Sequence, residues 1–552
     1  MKKKMKVKIP DGTFPYKNGK YTYIYHVVEK VYEKEHQYNN NKRVSIGTKI
    51  DDEYMYANDN YYRYYGTDVE PAGEPERSDV LKIGNTMVIS KIMHDLDITS
   101  ILDEIYGNYS RILQDLVSYI IITEGQAMQY FDSYAFEHPL VGKDLTDDQI
   151  SEILRLMERK DSELFLRAWN QLHSKTTDVY ISYDSTNMNC ASEGIEMADY
   201  GHPKNDIGEP VVNVGIASKQ EDGTPLFYED YEGSIVDVSQ CRYMVSRCRS
   251  YGYENIGFIL DRGYFSKQNI EYFDRNGYGF IMMAKGNAKF VQEALEGVKL
   301  KLRMETKYYM PGHYLSGITV EMKLYKNDKK KRYLHIFYSD ERASADRVKY
   351  LERLDKQKKQ LDKRVESKTA RKKDLSGYNK YFYLKFDEND YLESYTERKK
   401  EIQKSADSFG YFAILTSEKM TAEEALEKYR TRDYSEKLNM MFKSELGLST
   451  LRVQSDISMK SKLFIGFLAL IVRNEMYQKG KELAKKERDR KNYTVPAMIH
   501  TLDKLFLTKD EDTYRQVYAP TKKQKNILKQ FGIDEKYIKS YTAKVNKNLK
   551  DK

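Results

Sequence analysis

Cysteine is scarce in this chain. The three present, Cys190, Cys241 and Cys248, are too few for a disulfide framework and lack the paired spacing of a zinc site. They read as packing residues in a reducing compartment. Long apolar runs are missing too: the longest, Leu463 to Val472, is about half of what a bilayer requires, so it reads as a buried helix. The basic opening MKKKMKVKIP is not followed by the apolar stretch of a signal peptide, and the expected location is cytoplasmic. There is no phosphate-cradling glycine loop, since GSIVD and KGNAK lack the Walker spacing. There is also no GxSxG elbow and no His/Cys cluster. Nor does either charge dominate. The net charge of +8 is spread over 552 residues and is weak evidence for a nucleic-acid partner unless it clusters locally.

What is present suits a globular protein of two to four domains, with 40% hydrophobic residues to build cores. Residues 1–80 read as β-rich: Tyr21 to Ile50 forms two strands around the turn-forming NNNK, and YYRYY at 61–65 is expected to add another. Glu70 to Pro75 reads as a linker. Residues 81–175 carry helical spacing and form either a reader of DNA ends or a packing collar for the next domain.

From 176 to 285 the pattern becomes α/β. Thr177 to Tyr183 is a strand ending at Asp184, with further strands at Val211 to Ala217 and Pro225 to Tyr231. A helix at Asp237 to Ser250 precedes the strand Ile256 to Leu260, which ends at Asp261; a second helix and the strand Phe280 to Ala284 complete the set. The order β-β-β-α-β-α-β is that of a ribonuclease-H-like core. Residues 286–420 read as a mainly β insertion domain with one long charged helix, Arg342 to Lys373. Its Leu354/Leu361 and Leu351/Val365 spacings suggest a short coiled-coil seam, and its Lys/Arg-rich end is either solvated charge or a phosphate contact. The core resumes at 421–478, with a closing helix at Leu463 to Glu475. Residues 479–552 read as a basic helical tail, either an oligomer arm or a DNA contact.

Chemistry concentrates on three acids. Asp184 and Asp261 come directly after strands of the same α/β segment, where sheets deliver functional side chains. In a helix over Tyr429 to Lys443, the side chains of Tyr429, Arg432, Glu436 and Lys443 share a sector about 60° wide, opposite Tyr434, Leu438, Met441 and Phe442. If that helix crosses the sheet, Glu436 completes a three-carboxylate pocket. Such oxygen ligands suit Mg²⁺, and two ions together can activate a nucleophile and stabilise a leaving oxygen at a phosphodiester.

These residues carry a resemblance. Tyr429, Arg432, Glu436 and Lys443 reproduce the Tyr-x2-Arg-x3-Glu-x6-Lys spacing of a large group of bacterial insertion-sequence DDE transposases, the insertion-sequence-four-like group. Around the aspartates, YDST, GHPKND, VVNVGIA, FILDRGYFS and FIMMAKGN are similar as well. The chain departs from the group at Gln454 and Lys462, where members often have histidines. The resemblance implies that Asp184, Asp261 and Glu436 are catalytic and bind two Mg²⁺ ions, with Mn²⁺ able to substitute. It implies that Tyr429, Arg432 and Lys443 bind DNA, and that a homodimer in a synaptic complex cuts the element ends and joins the 3′-hydroxyls to target DNA. A nuclease of the same fold without strand transfer, and a non-catalytic DNA-binding relative, stay open as alternatives.

Overall fold

A computed structural model describes residues 6–33, 38–65, 77–157, 159–174, 179–201, 208–235, 237–328, 330–511 and 513–550. The chain divides into two compact units, Met1–Asp79 and Val80–Lys552. The first is an antiparallel sheet of five strands, in the order Lys6–Lys8, Tyr54–Ala57, Tyr38–Lys49, Tyr21–Glu33 and Phe14–Asn18. Ile24, Ile46 and Met55 form its core. Two expectations are corrected here. NNNK is not a turn but lies inside the strand Tyr38–Lys49, and YYRYY belongs to the helix Asp59–Tyr65. The helix wins because the Asn58 side chain accepts the N–H groups of Asn60 and Tyr61, and because the Tyr61 and Tyr65 rings stack one turn apart. The linker expected at Glu70 to Pro75 lies outside the described residues.

The second unit is built on a nine-stranded sheet. Its strands are β1 (Val179–Asn189), β2 (Val211–Lys219), β3 (Pro225–Glu232), β4 (Ile256–Leu260), β5 (Gly279–Met283), β6 (Tyr309–Met310), β7 (Leu315–Met322), β8 (Arg332–Tyr338) and β9 (Tyr411–Thr416). They lie in the order β6-β7-β8-β9-β5-β4-β1-β2-β3. The parallel pairs of this sheet are β1 with β4 and β4 with β5, joined through α1 (Asp237–Ser250) and α2 (Lys267–Asn276). All five residues of β4 are buried, as a central parallel strand covered on both faces requires. This is the β-β-β-α-β-α-β order of a ribonuclease-H-like core.

The stretch expected to be a separate insertion domain instead extends this sheet. β9 pairs with β5, β8 with β9 and β7 with β8, so the runs read as a β domain complete the core. Both YLHIFY and YFAILT are too apolar to face water, and the open edge of β5 offers them partners. What projects from the sheet is a smaller lobe. It contains α3 (Asp340–Ser367), the hairpin of Phe382–Phe386 with Leu392–Glu397, and the helix Lys399–Ala406. Leu354 and Leu361 do not form a coiled coil; they pack against Leu375, Phe382 and Leu392 in the lobe's own core.

Beneath the sheet runs α4 (Asp456–Glu487), with every residue from Leu463 to Asn474 buried. The helices Ser110–Ile122, Asp147–Leu156 and Arg159–His173 pack on it. Its Arg473 side chain is fully buried and bonded to Glu445 (2.7 Å) and Glu124 (3.2 Å), which ties the helical region to the segment carrying the third acid. The tail is not wholly helical: Phe506–Asp510 and Thr513–Gln516 form a hairpin that pairs with Val80–Lys82. All three cysteines are buried and unpaired. Among the described residues, no helix is long and apolar enough to cross a membrane.

Candidate active site

The parallel register sets the first two acids side by side. Tyr183 pairs with Leu260, so Asp184 and Asp261 each occupy the next position along β1 and β4. Asp184 does not end its strand as expected. β1 continues to Asn189 because β2 goes on pairing with it, with Asp184 opposite Ile216 and Ser185 opposite Gly215. Gly215 is required there, since a Cβ would lie 1.9 Å from the Tyr183 hydroxyl. Asp261 does begin a new element. Its Oδ1 accepts the Arg262 N–H (2.7 Å), capping the short turn Arg262–Tyr264, and also the Tyr429 hydroxyl (3.4 Å).

Glu436 arrives on a helix that is broken where continuity was expected. The segment splits into α5 (Ala422–Arg430), α6 (Asp433–Met440) and a π-turn over Met441–Glu445. The break coincides with Thr431, whose hydroxyl bonds back to the Lys428 carbonyl (2.6 Å). Tyr429 therefore sits at the buried end of α5, Arg432 at the junction and Glu436 on the exposed side of α6. Serines let α6 approach the sheet closely: the Ser435 hydroxyl donates to Ser182 on β1 (2.7 Å) and lies 3.4 Å from Ser218 on β2. Leu438, Met441 and Phe442 are buried, as the helical face implied.

One guanidinium gathers the acids. Arg432, 13% exposed, lies 3.7 Å from the Asp184 carboxylate and hydrogen-bonds to Glu436, with the Tyr429 ring 5.9 Å away. Burial disfavours its charge, but Tyr429, Asp261, Asp184 and Glu436 together hold its pKa above the ordinary arginine value. Burial also pushes the Tyr429 phenol up; Arg432 opposes that rise and Asp261 adds to it. Asn439 donates to the second Asp184 oxygen (2.9 Å), a partner one helical turn beyond Glu436 that the sequence pattern did not single out. Lys443 lies in the π-turn, half-buried, where its carbonyl accepts the Ser449 N–H.

Asp261 and Glu436 open on a cleft of about 370 Å³ that Tyr429, Arg432, Arg262 and Arg342 also line, while Asp184 reaches this site through Arg432 rather than as part of the cleft wall. Arg262 could have been noticed as the neighbour of Asp261. Arg342 could not, because it enters from the first turn of α3, in the stretch read as a separate domain.

Three carboxylates around one guanidinium leave a formal excess of two negative charges, and an all-oxygen donor set suits a hard divalent cation. For Glu436 to act as a ligand it must leave Arg432. Among the described residues, a different trio, His313, Glu423 and Glu427, is the one whose ligand atoms all lie close enough for one ion. Hydrogen bonding argues against it as a metal centre. Arg430 Nη1 donates to His313 Nδ1 (2.8 Å), which leaves the ring hydrogen on Nε2, facing Glu423 and Glu427 at 3.6 and 3.5 Å. An ion there would have to displace that hydrogen, whereas the acids around Arg432 need only exchange one cation for another.

Comparison with known proteins places these residues in context. Residues 175–472, more than half of the chain and including all three acids, match the transposase DDE domain family. No curated protein matches the chain in sequence. Among solved structures, it is similar to the piggyBac transposase in a synaptic complex with hairpin DNA, determined by cryo-electron microscopy. That likeness is distant, with 8% identity and a TM-score of 0.36 over 83% of this chain and 82% of the other.

Proposed function

This chain belongs to the transposase DDE domain family, and from that premise we propose that it is an insertion-sequence transposase of the Tyr-Arg-Glu-Lys group. It binds the terminal inverted repeats of its element as a homodimer, cleaves at the ends and joins the 3′-hydroxyls to target DNA. DDE transposases generally use divalent metals. Asp184, Asp261 and Glu436 would hold two Mg²⁺ ions, or Mn²⁺ in their place. Bound there, the ions would supply an activated nucleophile and charge stabilisation at the phosphodiester. The observation that supports this reading most is the convergence of three acids, from two adjacent parallel strands and a helix 175 residues beyond Asp261, on the single guanidinium of Arg432.

The residues divide the work. Asn439 holds one Asp184 oxygen and orients the carboxylate. Tyr429 and the Arg262 N–H fix Asp261 in the same way. Arg432 offsets one of the three negative charges in the resting site, and when Glu436 turns to its ligand role the guanidinium becomes available to a DNA phosphate. Lys443 and Tyr429 are further DNA contacts in this reading, both to phosphates, Tyr429 through its hydroxyl because its ring is buried against Ile259 and Ile281.

Incubating purified protein with duplexes carrying the element's inverted repeat, with Mg²⁺ or Mn²⁺, tests the proposal. It requires metal-dependent nicks at the element end and joined products, both abolished in Asp184→Asn. Nicks without joined products would assign a nuclease instead. DNA retained in gel shifts with no cleavage under any metal would assign a binding protein.

A further inference from the structure

The chain's charge is not evenly spread. Between Lys356 and Lys373, nine of eighteen residues are Lys or Arg and two are acidic, a local excess of +7 in a chain whose total is +8. A helix macrodipole accounts for a cation or two in a last turn. This run starts well before the end of α3 and continues past it into the turn Lys372–Tyr378. The arginines of the run are engaged by the lobe itself, Arg364 over the Tyr378 ring and Arg371 on Tyr391. Lys356, Lys363, Lys368, Lys372 and Lys373 are exposed and form no ion pair among the described residues. Lys368 occupies a left-handed backbone position (φ 48°) that glycine fills without strain, so the helix end spends its capping position on a cation.

Placement gives this cluster a direction. α3 begins at the cleft, where Arg342 lines the same cavity as Asp261 and Glu436, and it runs outward into the lobe. At about 1.5 Å per residue, Lys363 is about 30 Å and Lys368 about 40 Å from Arg342. On B-form DNA, at about 3.4 Å per base pair, that reach corresponds to about nine to twelve pairs. We propose that α3 is a strut carrying a second DNA contact, in which the lysines at its outer end grip backbone phosphates of a duplex whose end lies in the acidic cleft. The rings beside the run are covered by its own arginines, Tyr378 by Arg364 and Tyr391 by Arg371, so the lysines offer a contact to phosphates that is independent of sequence. This inference rests on the reading of the chain as a DNA transposase.

Because the contact is sequence-independent, random-sequence duplexes test it. Binding is measured by fluorescence anisotropy as a function of salt and of duplex length. For the wild-type chain, affinity should step up as the duplex lengthens past about twelve pairs. In a combined Lys363→Gln, Lys368→Gln, Lys372→Gln, Lys373→Gln variant that step should vanish, and the slope of log K against log[salt] should fall by about three to four, close to one for each phosphate no longer neutralised. The matching Lys→Arg variant keeps the charge and should bind like wild type, which separates removal of charge from a damaged lobe. An unchanged slope and length step in the Gln variant, with the wild type binding DNA, overturns the strut and leaves the transposase reading standing. A wild-type chain that binds no DNA overturns both.

Discussion

Two clusters in this molecule combine carboxylates with an arginine, and they differ in what stands behind them. Asp184, Asp261 and Glu436 are delivered by two central strands and by a helix seated on buried serines, with Arg432 almost enclosed among them. Glu423 and Glu427 lie on the outer side of α5, more than half exposed, and His313 meets them from the turn Pro311–His313. Compactness of ligand atoms favours the second cluster; support from the core favours the first. A catalytic centre must hold its groups in place through a reaction, so the backing matters more than the momentary distances.

The largest effect that could break this contrast is on catalysis. Asp184→Asn or Asp261→Asn should lower end cleavage by about a hundred- to a thousandfold or more while the fold stays intact. His313→Ala should leave it within about twofold. Equal losses from the two sets would erase the distinction.

Next comes stability beneath the first cluster. Arg473→Met removes a fully buried cation from Glu445 and Glu124 and should destabilise the second unit by about 2–3 kcal/mol in urea unfolding, below the full cost of a broken buried pair because Glu124 is half exposed. Disrupting His313 in the same way should cost less than about 0.5 kcal/mol.

The sheet also carries a pH dependence. Burial holds His335, on β8 between Thr319 and Thr416, down to about 4 from an ordinary 6.5. A base whose pKa is lowered by folding contributes stability that is present in full above the unfolded value and declines as pH falls from about 6.5 towards 4. The decline should approach about 3 kcal/mol and be absent in His335→Gln, as read from urea midpoints across that range. The smallest effect expected is that of Ser435→Ala, about 1 kcal/mol from removing the bond to Ser182.

Those differences also mark what could be read from the chain alone. The strands before Asp184 and Asp261 are short β-branched or apolar runs, and the Tyr429–Lys443 face comes from helical spacing, so the three acids and their order were legible. The course of β1 past Asp184 was not, because DSTNMN lacks strand composition and is held extended by β2. The helix break was hidden in Thr431, a residue that helices tolerate until its hydroxyl bonds back to the preceding turn. Least legible was the pairing of β9 with β5 across more than a hundred residues, and of the tail hairpin with Val80–Lys82. Non-local pairing leaves no periodicity in either partner. That is also why Arg342 was missed: it reaches the cleft only because the sheet continues through the stretch read as separate.

The central claim is that the divalent cation sits among Asp184, Asp261 and Glu436. Loading the purified chain with Fe²⁺ in place of Mg²⁺ and adding ascorbate and peroxide generates radicals that cut the backbone beside the bound ion, and mass spectrometry locates the cuts. Cuts are expected close to residues 184, 261 and 436, suppressed by excess Mg²⁺. Cuts confined to the neighbourhoods of residues 313, 423 and 427 would contradict the claim.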